Sequence, residues 1–221
     1  MTEPMTDHFD RSPADEVARR VAALAAMPPR YGMTTEPLPT LQPRVQFAPE
    51  LLLRAQGIKV VFFDVDGVMT DGGLLFTDAG ETIKRFHSLD GHGIKLLQRA
   101  GIVPAVVTGR DSAPLRKRLA ALGVTHVRYG TEDKRPAVEA ILSELGLDWS
   151  QTAAMGDDWP DAPVLRRVAL ACAPQTAHTE ILGLAHYVPE MPAGHGAVRA
   201  VCDLLLVATG HYQRLWHEQS A

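Results

Sequence analysis

Two aspartates one residue apart close a short apolar run, Ile58-Lys59-Val60-Val61-Phe62-Phe63-Asp64-Val65-Asp66-Gly67. The run is β-branched and aromatic and a few residues long, which predicts a buried strand. Strand side chains alternate faces, so Asp64 and Asp66 point the same way off its carboxyl end. Two like charges there repel unless a cation is held, and a hard, oxygen-seeking ion such as Mg²⁺ suits them. The plain alternative for Asp-x-Asp alone is a polar turn after a strand. Three further anchors weigh against it: Thr108, Lys134 and Gly156-Asp157-Asp158, each at an expected strand-to-helix junction. An open α/β sheet gathers such junctions into one crevice.

These residue types suit phosphoryl transfer, in which catalysis is mostly positioning and charge neutralisation. Asp64 is the expected nucleophile, forming an aspartyl-phosphate. Asp66 protonates the leaving alcohol and then deprotonates the attacking water. Mg²⁺ is expected on Asp64, Asp157 and the Asp66 backbone carbonyl. Lys134 supplies a fixed charge, and Thr108 donates to a phosphoryl oxygen. A lysine at a helix start is badly placed against the helix dipole, which argues for a bound anion. Asp158 is expected to bind a metal water or orient Lys134, and Asp161 to orient its motif.

The elements that must position these groups alternate along the chain. Strands are expected over 101–108, 124–129, 152–155 and 169–173, with a fragment at 187–188. Helices are expected over 113–122, 132–145, 160–168, 178–184 and 196–208, and from Asp90, as N-cap, onward. Between the first strand and that helix, residues 74–77 and 81–86 flank Asp78-Ala79-Gly80 and read as a β-hairpin. The fold class is therefore α/β, a Rossmann-like parallel sheet with helices on both faces and a hairpin inserted after the first strand. Residues 1–49 differ. A helix is expected over 14–27, then a proline-rich arm, so they are read as a partly helical or flexible N-terminal extension. Residues 50–210 are the catalytic domain and 211–221 a C-terminal tail.

The chain of 221 residues suits one such domain plus an appendage. Its formal net charge of −4 and lack of a Lys/Arg block disfavour a nucleic-acid partner. No apolar run reaches the roughly 18–20 residues of a membrane span. No signal-peptide pattern opens the sequence, and Cys172 and Cys202 sit in apolar segments without metal-like spacing. A cytoplasmic protein with reduced thiols and no membrane partner is expected.

Asp64-Val65-Asp66-Gly67-Val68-Met69-Thr70-Asp71-Gly72, Thr108-Gly109-Arg110, Lys134 and Gly156-Asp157-Asp158-x-x-Asp161 together resemble the four motifs of the haloacid dehalogenase-like phosphatases. Within that superfamily, five features are similar to the branch acting on 3-deoxy-D-manno-octulosonate 8-phosphate (KDO 8-phosphate): the Thr70-Asp71-Gly72 tail of the first motif, the hairpin, Leu89-Asp90-Gly91-x-Gly93-Ile94, Leu122-Gly123-Val124-Thr125-His126 and the segment from Gly196 to Leu206. The resemblance spans about residues 50–210. It implies a Mg²⁺-dependent hydrolase of lipopolysaccharide precursor synthesis, without a cap domain, assembled as a homotetramer through the hairpin. It also implies substrate contacts from His87, Ser88, Leu89, Asp90, Gly91, Lys95, Arg110, Arg118 and Lys134, with Asp66. A multiply charged sugar-acid phosphate needs such clustered cations. His87, Leu89 and His195 depart from the Asn, Arg and Arg common among relatives, which leaves the exact sugar open. The alternatives are a phosphatase of another sugar-acid phosphate, such as that of a nine-carbon acid, and a non-catalytic subunit associated with a sugar nucleotidyltransferase.

Overall fold

The computed structural model describes residues 44–220, all within one compact unit, Gln42–Ala221. The helix expected over 14–27 and most of the expected arm lie outside the described residues. A short helix α1 (Pro49–Ala55), with proline in its first turn, leads into strand β1 (Val60–Phe63). Every residue of β1 is buried, as expected for a strand covered on both faces.

Four more strands pair in parallel around it: β4 (Val103–Val107), β5 (His126–Arg128), β6 (Thr152–Met155) and β7 (Leu170–Cys172), in the spatial order β5-β4-β1-β6-β7. The chain builds outward from β1 on one side, returns to place β6 against its other edge, and continues outward. Phe63 is thereby in register with Val106 and with Met155. The carboxyl end of β1 lies at the switch point of the sheet, where α/β folds bind ligands.

The two faces of the sheet carry separate cores. Val61, Phe63, Val106 and Met155 face α2 (Ser88–Arg99), α3 (Ala113–Leu122), α7 (Ala197–Ala208) and Leu215 of α8 (Tyr212–Ser220). Val60, Phe62, Ala105 and Ala154 face α4 (Lys134–Leu145), the short α5 (Ala162–Leu165) and Ile181 of α6 (Thr179–Leu182). The alternation is the period of two that a doubly covered strand imposes. Helices α3 and α4 stop at Gly123 and Gly146, both left-handed.

The expected hairpin is present, with β2 (Leu75–Thr77) pairing antiparallel to β3 (Gly80–Ile83). Leu74, Leu75, Phe76 and Ile83 on it are exposed.

Four local expectations are corrected. The helix expected over 160–168 is a 3₁₀ turn, Trp159–Asp161, followed by one turn of α5. Pro163 lacks the amide hydrogen that a continuous helix from 160 would need. The fragment at 187–188 is only an isolated bridge between Tyr187 and Cys172. Residues 212–220, expected as a tail, form α8 with Leu215 buried. Asp90 is not the N-cap of its own helix. Helix α2 begins at Ser88 with His87 in the capping position. The buried Asp90 carboxylate instead accepts from Arg199 N (2.8 Å) and Gly196 N (3.4 Å), at the amino end of α7. It serves a helix about a hundred residues away, because α2 and α7 pack side by side.

Candidate active site

The carboxyl edge of the sheet holds an open cavity of about 650 Å³ lined by Asp64, Asp66, Thr108, Gly109, Arg110, Glu132, Lys134, Asp157, Asp158, Pro160 and Asp161. Its polar groups come from the ends of β1, β4 and β6 and from the first residue of α4.

Asp64 follows β1 directly, and its N–H donates to Met155 O (3.0 Å), continuing the pairing with β6 by one residue. Lys134 opens α4 and is buried. Its Nζ lies 2.9 Å from Asp64 Oδ1 and 2.7 Å from Asp161 Oδ1. Asp161 Oδ2 accepts from the N–H groups of Asp157 (3.1 Å) and Asp158 (3.3 Å), which ties the loop after β6 to Lys134. Asp161 therefore orients both its motif and the lysine. Asp158, expected to bind a metal water or orient Lys134, caps the next turn through Trp159 N (2.8 Å) and makes no bond to Lys134.

Oxygen atoms of Asp64, Asp157 and Asp161 lie within 4.8 Å of one another. Burial first, then the neighbouring carboxylates, pushes Asp157 up to about 8; burial, only partly countered by Lys134, raises Asp64 to about 6. Burial opposes the charge on Lys134, but Asp64 and Asp161 outweigh it and its pKa rises. Three carboxylates face one ammonium, so the cluster lacks positive charge. All-oxygen donors at this spacing fit a hard divalent cation. Two glycines let the backbone come this close. Gly67 has φ +86°, and a Cβ there would fall 2.1 Å from Asp157 Oδ2; at Gly156 it would fall 2.3 Å from Asp161 Cγ.

Asp66 shares the cavity but not the cluster. Its Oδ1 is paired with the Lys84 ammonium, and its Oδ2 is buried without a hydrogen-bond partner, 3.8 Å from Arg110 Nε. Thr108 is buried, with Arg110 N–H donating to its Oγ1 (3.3 Å). That contact leaves the hydroxyl proton of Thr108 available to a ligand.

Thus Asp64, Asp66, Thr108, Arg110, Lys134 and Asp157 come together. The other anticipated substrate residues do not line this cavity in the single chain. Ser88, Leu89 and Lys95 are exposed, and Leu89 borders a second cavity with Tyr187, Met191 and His195. Asp90 is engaged at α7. Arg118 Nη2 donates to His87 O (3.2 Å), and its guanidinium stands 5.8 Å from the Phe86 ring, so it holds the entry to α2 beside Gly91. His87 Nδ1 is buried without a partner, and its ring lies 6.4 Å from that of His195.

Sequence reasoning passed over Lys84. Its side chain is 1% exposed, yet nothing in its hairpin arm, where Glu81, Thr82 and Arg85 are polar too, sets it apart. It also underrated Asp161 as a member of the carboxylate cluster.

Comparison with known proteins follows the same lines. Residues 129–201 match the family model of haloacid dehalogenase-like hydrolases. The chain is 42% identical over 161 residues to the 3-deoxy-D-manno-octulosonate 8-phosphate phosphatase of Yersinia pestis, covering 73% of this chain and 86% of that protein. The same-named phosphatase of Moraxella catarrhalis, crystallised with magnesium, phosphate and KDO, superposes with a TM-score of 0.75 at 32% identity, over 76% of this chain and 97% of the other. The cobalt-bound phosphatase of Haemophilus influenzae gives 0.70 at 39% identity, over 71% and 92%. Among the described residues no helix is long and apolar enough to cross a membrane.

Proposed function

Because the chain belongs to the 3-deoxy-D-manno-octulosonate 8-phosphate phosphatase family of haloacid dehalogenase-like hydrolases, we propose that it hydrolyses KDO 8-phosphate to KDO and phosphate. The observation that carries this reading is the joining of Asp64, Lys134 and the Asp157–Asp161 carboxylates at one strand end, beside Thr108 and Arg110.

The Asp64 carboxylate attacks phosphorus. A P–O bond to Asp64 forms as the bond to the sugar oxygen breaks, and Asp66 delivers a proton to that oxygen. Asp66 then takes a proton from water, whose oxygen displaces Asp64 from phosphorus and releases phosphate. Lys134 and Thr108 hold the equatorial oxygens. Asp64 and Asp157, with the Asp66 carbonyl and with Asp161 at hand, would hold Mg²⁺, whose charge would balance that of the phosphoryl group. Arg110 at the cavity mouth meets the sugar acid. Arg118 holds His87 at the start of α2 through its carbonyl. The exposed apolar hairpin supports a homotetramer, and the buried free thiols Cys172 and Cys202 fit a cytoplasmic enzyme supplying lipopolysaccharide precursors.

Phosphate release from a panel of sugar phosphates with Mg²⁺ tests the reading. Turnover of the eight-carbon acid phosphate is expected, and Asp64→Asn should abolish it. Preference for a nine-carbon acid phosphate refutes the sugar assignment, and no release from any member refutes the enzyme. Light scattering tests the tetramer, and a monomer contradicts it.

A further inference from the structure

Lys84 directly follows β3 of the hairpin and is not on the main sheet, yet its ammonium reaches Asp66 in the cavity wall. An ammonium this deeply buried is unfavourable unless it is paired. It meets two carboxylates. It donates to Asp66 Oδ1, and Glu81 Oε1 lies 2.7 Å away as an ion pair without hydrogen-bond alignment. Glu81 is three residues earlier on the same arm. It balances the second charge and holds the lysine from behind.

The consequence falls on Asp66. A carboxylate turns readily about its Cβ–Cγ bond, and its two oxygens are then interchangeable. Here Oδ1 is pinned, and Oδ2 remains buried with no partner, 3.8 Å from Arg110 Nε. An orphaned buried carboxylate oxygen beside a cavity is costly and marks a place where a ligand atom completes the hydrogen bond.

We propose that Lys84 is a positioning residue for proton transfer: by holding Asp66 Oδ1 it presents Oδ2 to the leaving-group oxygen. The hairpin then does more than offer an apolar surface, since its folding sets the orientation of a catalytic side chain on the sheet. This inference rests on the phosphatase reading, in which Asp66 carries the proton.

The experiment compares two leaving groups. Departure of a sugar alkoxide needs a proton, whereas p-nitrophenolate leaves with little help. General acid catalysis contributes about 10²–10⁴-fold. In Lys84→Met, kcat/KM for KDO 8-phosphate should fall by about a hundredfold, while that for p-nitrophenyl phosphate should stay within about threefold. Lys84→Arg, which keeps a charged donor to Oδ1, should recover much of the loss, and Lys84→Gln replaces the Met variant should that not fold. Equal losses with both substrates would mean that Lys84 supports only the architecture, and no loss would mean that Asp66 needs no such hold. Either result overturns the inference. Wild-type turnover of KDO 8-phosphate tests the underlying reading separately. Crystal structures give a readout independent of turnover: Asp66 is expected to rotate in the Met variant, and an unmoved carboxylate overturns the inference even in an inactive protein.

Discussion

Replacing Lys134 by methionine keeps the length of the side chain and removes the one cation in the carboxylate cluster. The ammonium lies 2.9 Å from Asp64 and 2.7 Å from Asp161. At an effective dielectric constant of about 20, each contact at such a distance is worth about 6 kcal/mol before dehydration of the charges is counted. Dehydration offsets much of that, and removing one partner of a buried pair typically costs about 3–5 kcal/mol. The loss should depend on pH. Asp64 and Asp157 are raised to about 6 and about 8, so at pH 5 both are largely protonated, and the lysine then interacts mainly with Asp161. A single charged hydrogen bond of that kind is worth about 1.5–3 kcal/mol. Urea unfolding of the metal-free protein should therefore show Lys134→Met destabilised by about 3–5 kcal/mol at pH 8 and by about half as much at pH 5, with an unchanged m-value. For a chain of this size the pH 8 loss corresponds to a Tm lower by roughly 6–20 °C. Equal losses at the two pH values would refute the argument that the lysine is held by ionised Asp64, and so would a loss below about 1 kcal/mol at pH 8.

The same carboxylates set two of three further expectations, and the third concerns Asp90. A folded-state carboxyl pKa above its unfolded value makes the folded protein bind protons that the unfolded chain has already lost. That contribution to stability is fullest near pH 4 and is lost as pH rises through about 6 and about 8. Mg²⁺ takes the place of those protons, so calorimetry should show a larger gain in Tm from added Mg²⁺ at pH 8 than at pH 5; a larger gain at pH 5 contradicts this. Gly67→Ala places a Cβ 2.1 Å from Asp157 Oδ2 at φ +86°, and should lower stability by about 1–3 kcal/mol and weaken Mg²⁺ binding by titration calorimetry. Unaltered binding would show that the loop gives way freely. Asp90→Ala deprives two N–H groups at the start of α7 of their acceptor, and should cost about 1–3 kcal/mol in urea unfolding; a neutral result would mean that α7 needs no cap from α2.

Asp64, Asp66, Thr108, Lys134 and Asp157 were legible because each ends a strand or starts a helix in a pattern of period two or 3.6. A parallel sheet with short connections leaves one edge where such residues meet. Local pattern also set the strand identities, the glycine stops of α3 and α4 and the hairpin, since each depends on residues within a few positions. What the pattern could not give was partnership between distant side chains. Asp90 reads as a cap for its own helix, and only the packing of α2 on α7 makes it the acceptor for Gly196 and Arg199. Arg118 reads as a substrate cation, yet the fold turns it toward the His87 carbonyl. Lys84 carries no signal in a hairpin arm because its meaning lies in Asp66, eighteen residues earlier. A side chain's charge and reach are written in the chain, but the group it finally faces is decided by which elements pack together. The paired aspartates after β1 were therefore evident from composition and spacing, whereas the division between one held by Lys134 and one held by Lys84 exists only in the folded protein.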